Sequence, residues 1–239
     1  MFLHRRTVGR VEIAFSDRDG GSSEGPWSSL DLGTSARDDD ELVLRNLDAV
    51  AAELGVDRLV RMAQVHGSDV VWTDGLGPGE VPVADALLTD EPGTAVLVRV
   101  ADCTPVVVVD RERPLAAVVH CGREGLVRGV LPAAVAALRE RGATDLEAFV
   151  GPRACGRCYE LPQDMADAVG AVVPEARSTT SWGTPAVDVG AGVLAQLRDA
   201  GVPATDVGER LCTIEDERFF SYRRQGRDSG RLGAVAVVR

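Results

Sequence analysis

The 239-residue sequence is short of aromatic side chains, of histidine and of positive charge. Aromatic residues make up 4% of the chain, so Val, Leu and Ala must supply the core. Lys and Arg total 26 against 37 Asp and Glu, a formal net charge of −11. Without a cationic cluster to neutralise phosphates, nucleic acid and anionic membranes are poor partners. No apolar run approaches the roughly 20 residues that a membrane span requires. Met1 to Arg6 is basic, but Gly9, Arg10 and Glu12 interrupt the apolar stretch that follows. That pattern is not a secretory leader, and it predicts a cytoplasmic protein. The five cysteines are odd in number and spread over more than a hundred residues, which is no disulfide framework. His4, His66 and His120 are the whole supply of imidazole.

What is present, 45% hydrophobic and 26% charged residues, is the composition of a globular domain. Val8 to Phe15 predicts a strand, followed by a turn-rich loop from Asp17 to Pro26. Asp38 to Leu54 predicts a helix, with acidic residues in its first turn, Val43, Leu47, Val50 and Leu54 on one face, and Gly55 as its stop. Further strands are expected at Leu59–Val65, Asp69–Thr73, Thr94–Val100, Val106–Val109, Leu115–Val119 and Leu146–Val150. The valine runs among them suit strands buried on both faces. Helices are expected over Glu124–Arg141, where Pro132 moves the start toward Leu131, over Pro162–Val172 and over Val187–Ala200. Val207–Leu211, Phe219–Tyr222 and Leu232–Val238 predict closing strands. Strands mixed with helices, with no repeat or linker, indicate one α/β domain spanning 1–239.

Three segments share a design in which an apolar strand delivers a reactive side chain near its end. Met62–Gly67 delivers His66, Leu97–Cys103 delivers Cys103, and Ala116–His120 delivers His120. Strand ends that meet loops are where ligands are held. Two His and one Cys suit zinc, and three protein ligands leave a fourth position open, as in catalytic sites. A metal there lowers the pKa of a coordinated water toward neutrality. The same residues without metal would make Cys103 a nucleophile with His120 as its base, oriented by Asp102 or Asp85. A structural metal would need a fourth ligand. Cys121 is the candidate, although neighbours along a strand point to opposite faces.

Cys155-Gly156-Arg157-Cys158 is a CxxC. A structural zinc needs a second pair, and the other cysteines are single. A redox CxxC opens a helix in a βαβ unit, which is not evident here. The expectation is therefore a pair of loop cysteines lining a pocket. Gly122-Arg123-Glu124-Gly125 reads as a glycine turn opening a helix, where N–H groups hold anions. Phe219 to Arg224 reads as an aromatic strand followed by two arginines, either a solvated edge or an anion or base-stacking site.

These segments also resemble a known family. Gly25-Pro26-Trp27-Ser28-Ser29-Leu30-Asp31-Leu32-Gly33, Gln64-Val65-His66-Gly67, Ala84-Asp85-Ala86-Leu87, Ala101-Asp102-Cys103-Thr104-Pro105, His120-Cys121-Gly122, Gly151-Pro152, Cys158-Tyr159-Glu160 and Phe219-Phe220-Ser221-Tyr222-Arg223-Arg224 are similar, in order, to the laccase-domain (YfiH-like) family. That family is also labelled multicopper polyphenol oxidase. Its members include purine nucleoside phosphorylases with adenosine deaminase activity and peptidoglycan editing factors. The resemblance implies an α/β (α+β) fold of layered mixed β-sheets flanked by helices, and one zinc per chain on His66, Cys103 and His120 as the catalytic residues. It implies phosphorolysis of adenosine, inosine and methylthioadenosine to free base and ribose 1-phosphate, and deamination of adenosine. The implied partners are a purine nucleoside and phosphate, with a homodimer allowed.

Substrate-binding candidates on the matching segments are Asn46, Gln64, Asp85, Asp102 and Tyr222. The candidate cations for phosphate are Arg45, Arg61, Arg123, Arg153 and Arg223. The sequence departs from the family where His-Ala-Gly-Trp-Arg-Gly becomes His120-Cys121-Gly122-Arg123-Glu124-Gly125, where Ser-Leu-Asn-Leu-Gly carries Asp31, and where Asn-Arg becomes Asn46-Leu47. A cysteine amidase acting on peptidoglycan precursors is the alternative. A copper oxidase fares poorly on counting, because such centres take many imidazoles and this chain has three.

Overall fold

The computed structural model describes residues 1–33 and 38–239. The chain opens with β1 (Phe2–Val8) and β2 (Val11–Ser16), then α1 (Asp40–Leu54), β3 (Arg58–Arg61), β4 (Val70–Trp72), β5 (Ala86–Thr89), β6 (Thr94–Val100), β7 (Thr104–Asp110) and β8 (Ala116–Cys121). It continues with α2 (Arg123–Arg128), α3 (Val130–Glu140), β9 (Leu146–Val150), α4 (Gln163–Val172), β10 (Arg177–Thr179), β11 (Pro185–Val187), α5 (Val189–Asp199), β12 (Ala204–Asp206), α6 (Tyr222–Gln225) and β13 (Leu232–Val238).

A five-stranded sheet in the order β1-β2-β13-β6-β3 faces a six-stranded sheet in the order β12-β9-β7-β8-β5-β4. Both are mixed: β3–β6, β4–β5 and β9–β12 are parallel and the other pairs antiparallel. The period-2 geometry of a strand explains the valine runs. Val107 and Val109 point between the sheets, against Ile13, Phe15, Val96 and Val98. Val106 and Val108 point the other way, under Leu126, Leu131, Leu138 and Val193 of α2, α3 and α5. On the opposite side Val43, Leu47, Val50 and Leu54 of α1 cover Ala14, Leu97, Val235 and Val237. The result is a layered α+β fold, helix–sheet–sheet–helices, in which each central strand is buried on both faces. No helix among the described residues is long and apolar enough to cross a membrane.

Several elements differ from expectation. The strand expected at Val8–Phe15 is the second half of a hairpin that turns at Gly9-Arg10 and pairs Val8 with Val11. The helix expected over Glu124–Arg141 is two helices, because Gly129 takes a left-handed conformation (φ 77°) between them. Pro132 falls in the first turn of α3, where its missing N–H costs no bond. Val207–Leu211 is not a strand. The edge strand there is Ala204–Asp206, which adds parallel to β9. Phe219–Tyr222 is not a strand either: both Phe rings are fully buried between the sheets, and Tyr222 begins α6.

Candidate metal centre and its pocket

Register brings the three expected ligands together. Pro105 at the start of β7 pairs with His120 near the end of β8. The short β6–β7 connection thereby carries Cys103 to the same rim, and the loop after β3 brings in His66. Cys103 Sγ lies 3.6 Å from His66 Nε2, the two imidazoles meet edge to face at 4.7 Å, and the donor atoms of His66, Cys103 and His120 all lie within 4.8 Å of one another.

Asp85 organises this cluster from behind. It is completely buried at the start of β5. His120 Nδ1–H donates to Asp85 Oδ1 at 2.7 Å, which turns the other ring nitrogen toward the cluster. The same carboxylate accepts from the backbone N–H of Val65, His66 and Gly67 at 3.2, 3.0 and 2.6 Å. One side chain thus orients one imidazole and the backbone that carries the other. The backbone is strained on both sides of the site: His66 has φ 60° and Asp102, next to Cys103, has φ 83°. Each such residue costs about 1–3 kcal/mol and persists only where its surroundings hold it. Gly122 completes the cradle. A Cβ there would stand 2.8 Å from His66 Cδ2 and 3.1 Å from Cys103 Sγ.

Burial pushes the Cys103 thiol up, but the adjacent His120 and His66 overcome this and bring it down to about 6. Burial likewise disfavours protonated His120, yet Cys103 and Asp85 raise it to about 9. Without a metal, each group favours the charged form of the other, a thiolate beside an imidazolium. A metal ion binding there keeps the thiolate and displaces the His120 proton. Two imidazoles and a thiolate, preset by a carboxylate behind them, fit a zinc-type ion with an open position.

The cluster sits in the wall of a cavity of about 540 Å³. Of the expected substrate-binding residues, Gln64, Asp102, Arg123, Tyr222 and Arg223 line it. Gln64 is held at 2.7 and 2.9 Å by the backbone of Arg99. Asp102 accepts from Thr213 Oγ1 and from the Arg223 N–H, both at 2.7 Å, and so does not orient His120.

Five expectations do not reach the cavity, among them Asp85, which is buried behind the cluster. Asn46 is buried in α1, where its amide ties Ser22, Ser23, Ser29 and Asp31 together. Arg45 is exposed and pairs with Glu41. Arg153 forms a two-pronged ion pair with Asp206. Arg61 borders a neighbouring cleft with Asp57 and Glu80. Nor do the two CxxC cysteines line the cavity. Cys121 points into the core between β8 and the helices, away from the three donors.

Three polar lining residues were not foreseen: Arg99, Arg231 and Tyr159. The signal for Arg99 was its charge inside the otherwise apolar Thr94–Val100. Arg99 donates to the Met62 carbonyl at 2.9 Å, and burial, with Arg61 and Arg231 close by, lowers its pKa to about 10. Arg223 lies 4.6 Å over the Tyr159 ring. Arg224, by contrast, is spent on the carbonyls of Thr213, Ile214 and Phe219. The cations in this cavity are all arginines, because the sequence has no lysine.

A second group of donors lies outside the cavity. Cys155, Cys158, Cys212 and Glu215 have donor atoms within 4.8 Å of one another, and the cysteines are free thiols. Burial pushes the Cys158 and Cys212 thiols up.

Comparison with known proteins agrees with this architecture. Residues 12–239 match the family model described as multi-copper polyphenol oxidoreductase laccase. A purine nucleoside phosphorylase of Streptomyces coelicolor is 47% identical over 97% of both chains, and one of Streptomyces griseus is 44% identical, also over 97% of both. The crystal structure of Neisseria meningitidis protein NMB0706 is 32% identical and covers 99% of this chain and 98% of its own, with a TM-score of 0.88.

Proposed function

The chain belongs to the multi-copper polyphenol oxidoreductase laccase family, and from that premise we propose that it is a zinc-dependent purine nucleoside phosphorylase that also deaminates adenosine. The observation that carries this reading is the coincidence of an open three-donor cluster with arginines and tyrosines in one cavity. His66, Cys103 and His120 would hold the metal, and the ion when bound supplies a Lewis acid with one position left for substrate or water.

The rest of the work falls to the chain's own side chains. In phosphorolysis, a phosphate oxygen bonds to ribose C1′ as the bond from C1′ to the base nitrogen breaks. The base departs with a proton, and ribose 1-phosphate remains. Arg223 and Arg123 at the cavity wall present guanidinium groups that match phosphate oxygens two at a time. Stacking on Tyr159 gives Arg223 a set orientation. Tyr222, half-exposed at the cavity, offers a flat face to the purine. Asp102 receives the Arg223 N–H and so fixes where that arginine leaves the backbone. Asp85 holds His120 and the His66 loop in place and touches no substrate.

The test is product analysis of inosine and adenosine incubated with zinc-loaded protein, with and without phosphate. Phosphate-dependent hypoxanthine and ribose 1-phosphate are expected from inosine, and inosine from adenosine. Absence of any product in both conditions overturns the reading. The succession Cys103–His120–Asp85, with its thiolate and oriented imidazole, favours a second one, a cysteine amidase acting on a peptidoglycan-precursor amide. Metal content separates the two. Stoichiometric zinc ligated by Cys103 removes the free nucleophile, whereas metal-free protein whose Cys103 alkylates rapidly supports the amidase.

A further inference from the structure

The CxxC segment and the loop after β12 form a pair of matching turns. In the first, the N–H groups of Cys158 and Tyr159 both donate to the Cys155 carbonyl, each at 3.0 Å. In the second, the N–H groups of Glu215 and Asp216 both donate to the Cys212 carbonyl, at 3.2 and 2.9 Å. Each turn therefore projects its first and fourth side chains to one side, Cys155 with Cys158 and Cys212 with Glu215. The turns are tied to each other by a parallel bridge between Arg153 and Cys212. Thr213 N–H donates to the Arg153 carbonyl at 3.0 Å, and Cys155 N–H points at Cys212 Sγ at 3.4 Å. The sequence shows only half of this arrangement, because the second pair is 54 residues further on and ends in Glu rather than Cys.

We propose that Cys155, Cys158, Cys212 and Glu215 bind a second zinc ion, in a structural rather than a catalytic site. Three sulfurs and a carboxylate, two from each of two turns, complete a tetrahedral set with no position left for substrate. Thiolate-rich sets select zinc over the hard divalent cations. Zinc halves the charge of three thiolates and a carboxylate. Arg224, whose guanidinium donates to the Thr213 and Ile214 carbonyls at 2.7 and 2.9 Å, braces the chain between Cys212 and Glu215. Cys212 is buried while Glu215 is exposed, so the ion has a way in from the solvent side.

The site has a job in the fold. Ala154, directly before Cys155, donates to the Asp102 carbonyl at 3.0 Å. Thr213, directly after Cys212, donates to Asp102 Oδ1. Tyr159, directly after Cys158, carries the ring under Arg223. The metal staples the two turns that hold Asp102 in its strained conformation next to Cys103, and so fixes one wall of the cavity. This inference stands whether or not the nucleoside reading does.

The test is zinc per chain, by elemental analysis, on full-length protein purified under reducing conditions. His66→Ala/His120→Ala removes the other cluster and is expected to retain about one zinc per chain. Adding Cys158→Ser and Cys212→Ser is expected to remove it. Because the quadruple variant can fail to fold, cobalt(II) is also loaded into the double-histidine variant. An intense thiolate-to-cobalt charge-transfer band is expected, altered by the exposed substitution Glu215→Gln. A double-histidine variant that purifies without zinc and gives no such band overturns the proposal. So does peptide mapping that finds Cys155 joined to Cys158 or Cys212 in a disulfide.

Discussion

The two donor clusters are built to opposite specifications. His66, Cys103 and His120 come from three separate segments, meet at a cavity wall and leave space in front of them. Their geometry is imposed from behind by Asp85 and by Gly122, and two residues with left-handed backbone are tolerated to achieve it. Cys155, Cys158, Cys212 and Glu215 come from two like turns, lie outside the cavity and leave no position open. Strain and an open position belong where chemistry is done. A closed set of soft donors belongs where loops must be held still. The fold places them either side of Asp102, so the second can serve the first.

Substitutions on either side separate the two clusters. His120→Ala removes a donor from the open cluster and is expected to lower phosphorolysis on the order of a thousandfold, the loss of several kcal/mol of transition-state stabilisation. Steady-state hypoxanthine release measures it, and full activity in this variant would remove the open cluster from the reaction.

The next effect is on stability near the cavity. Asp31 is fully buried, and burial raises its pKa to about 6, against its accepted N–H bonds from Gly33 and Arg231. The folded state therefore binds this proton more tightly than the unfolded chain does. The stability that goes with it is complete below about pH 4 and is lost as pH rises toward 6, by about 3 kcal/mol. Asp31→Asn keeps an oxygen for both N–H groups and is expected to flatten that fall in urea unfolding curves recorded from pH 4 to 7. An unchanged pH dependence would show that Asp31 is not its source.

Asp85→Asn probes orientation without removing a donor. A loss of about 10–100-fold in metal affinity or activity is expected, with zinc affinity measured by competition with a chelating dye. On the other side, Arg153→Ala breaks the ion pair with Asp206 beside the closed cluster. It is expected to cost about 1–2 kcal/mol in unfolding free energy, while hypoxanthine release changes less than about twofold. A larger fall in activity would give Arg153 a role in substrate binding. Arg45→Ala is expected to change least, within about 0.5 kcal/mol, because its pair with Glu41 is exposed.

The parts legible in the sequence were those with a local cause. The valine runs announced strands buried on both faces, α1 announced itself by its period, and β6, β9 and β13 begin and end where their patterns do. His66, Cys103 and His120 were legible because each follows an apolar run and histidine is scarce. What escaped depends on distant partners. Gly9-Arg10 turns a hairpin whose first strand is too basic to look apolar, and Phe219-Phe220 fills the core without joining a ladder. Asn46 and Arg153 looked like ligands for substrate, but Ser22, Ser23, Ser29 and Asp31 claim the one and Asp206 the other. Cys155 and Cys158 lacked a visible second pair because Cys212 and Glu215 reach them only through tertiary structure.

The most direct test follows zinc and activity in the same samples. Full-length protein is treated with graded chelator, and zinc per chain and phosphate-dependent hypoxanthine release are measured at each step. Activity is expected to disappear with the zinc of His66, Cys103 and His120, and refilling with zinc to restore it. Hypoxanthine release that continues undiminished after the zinc is gone would contradict it.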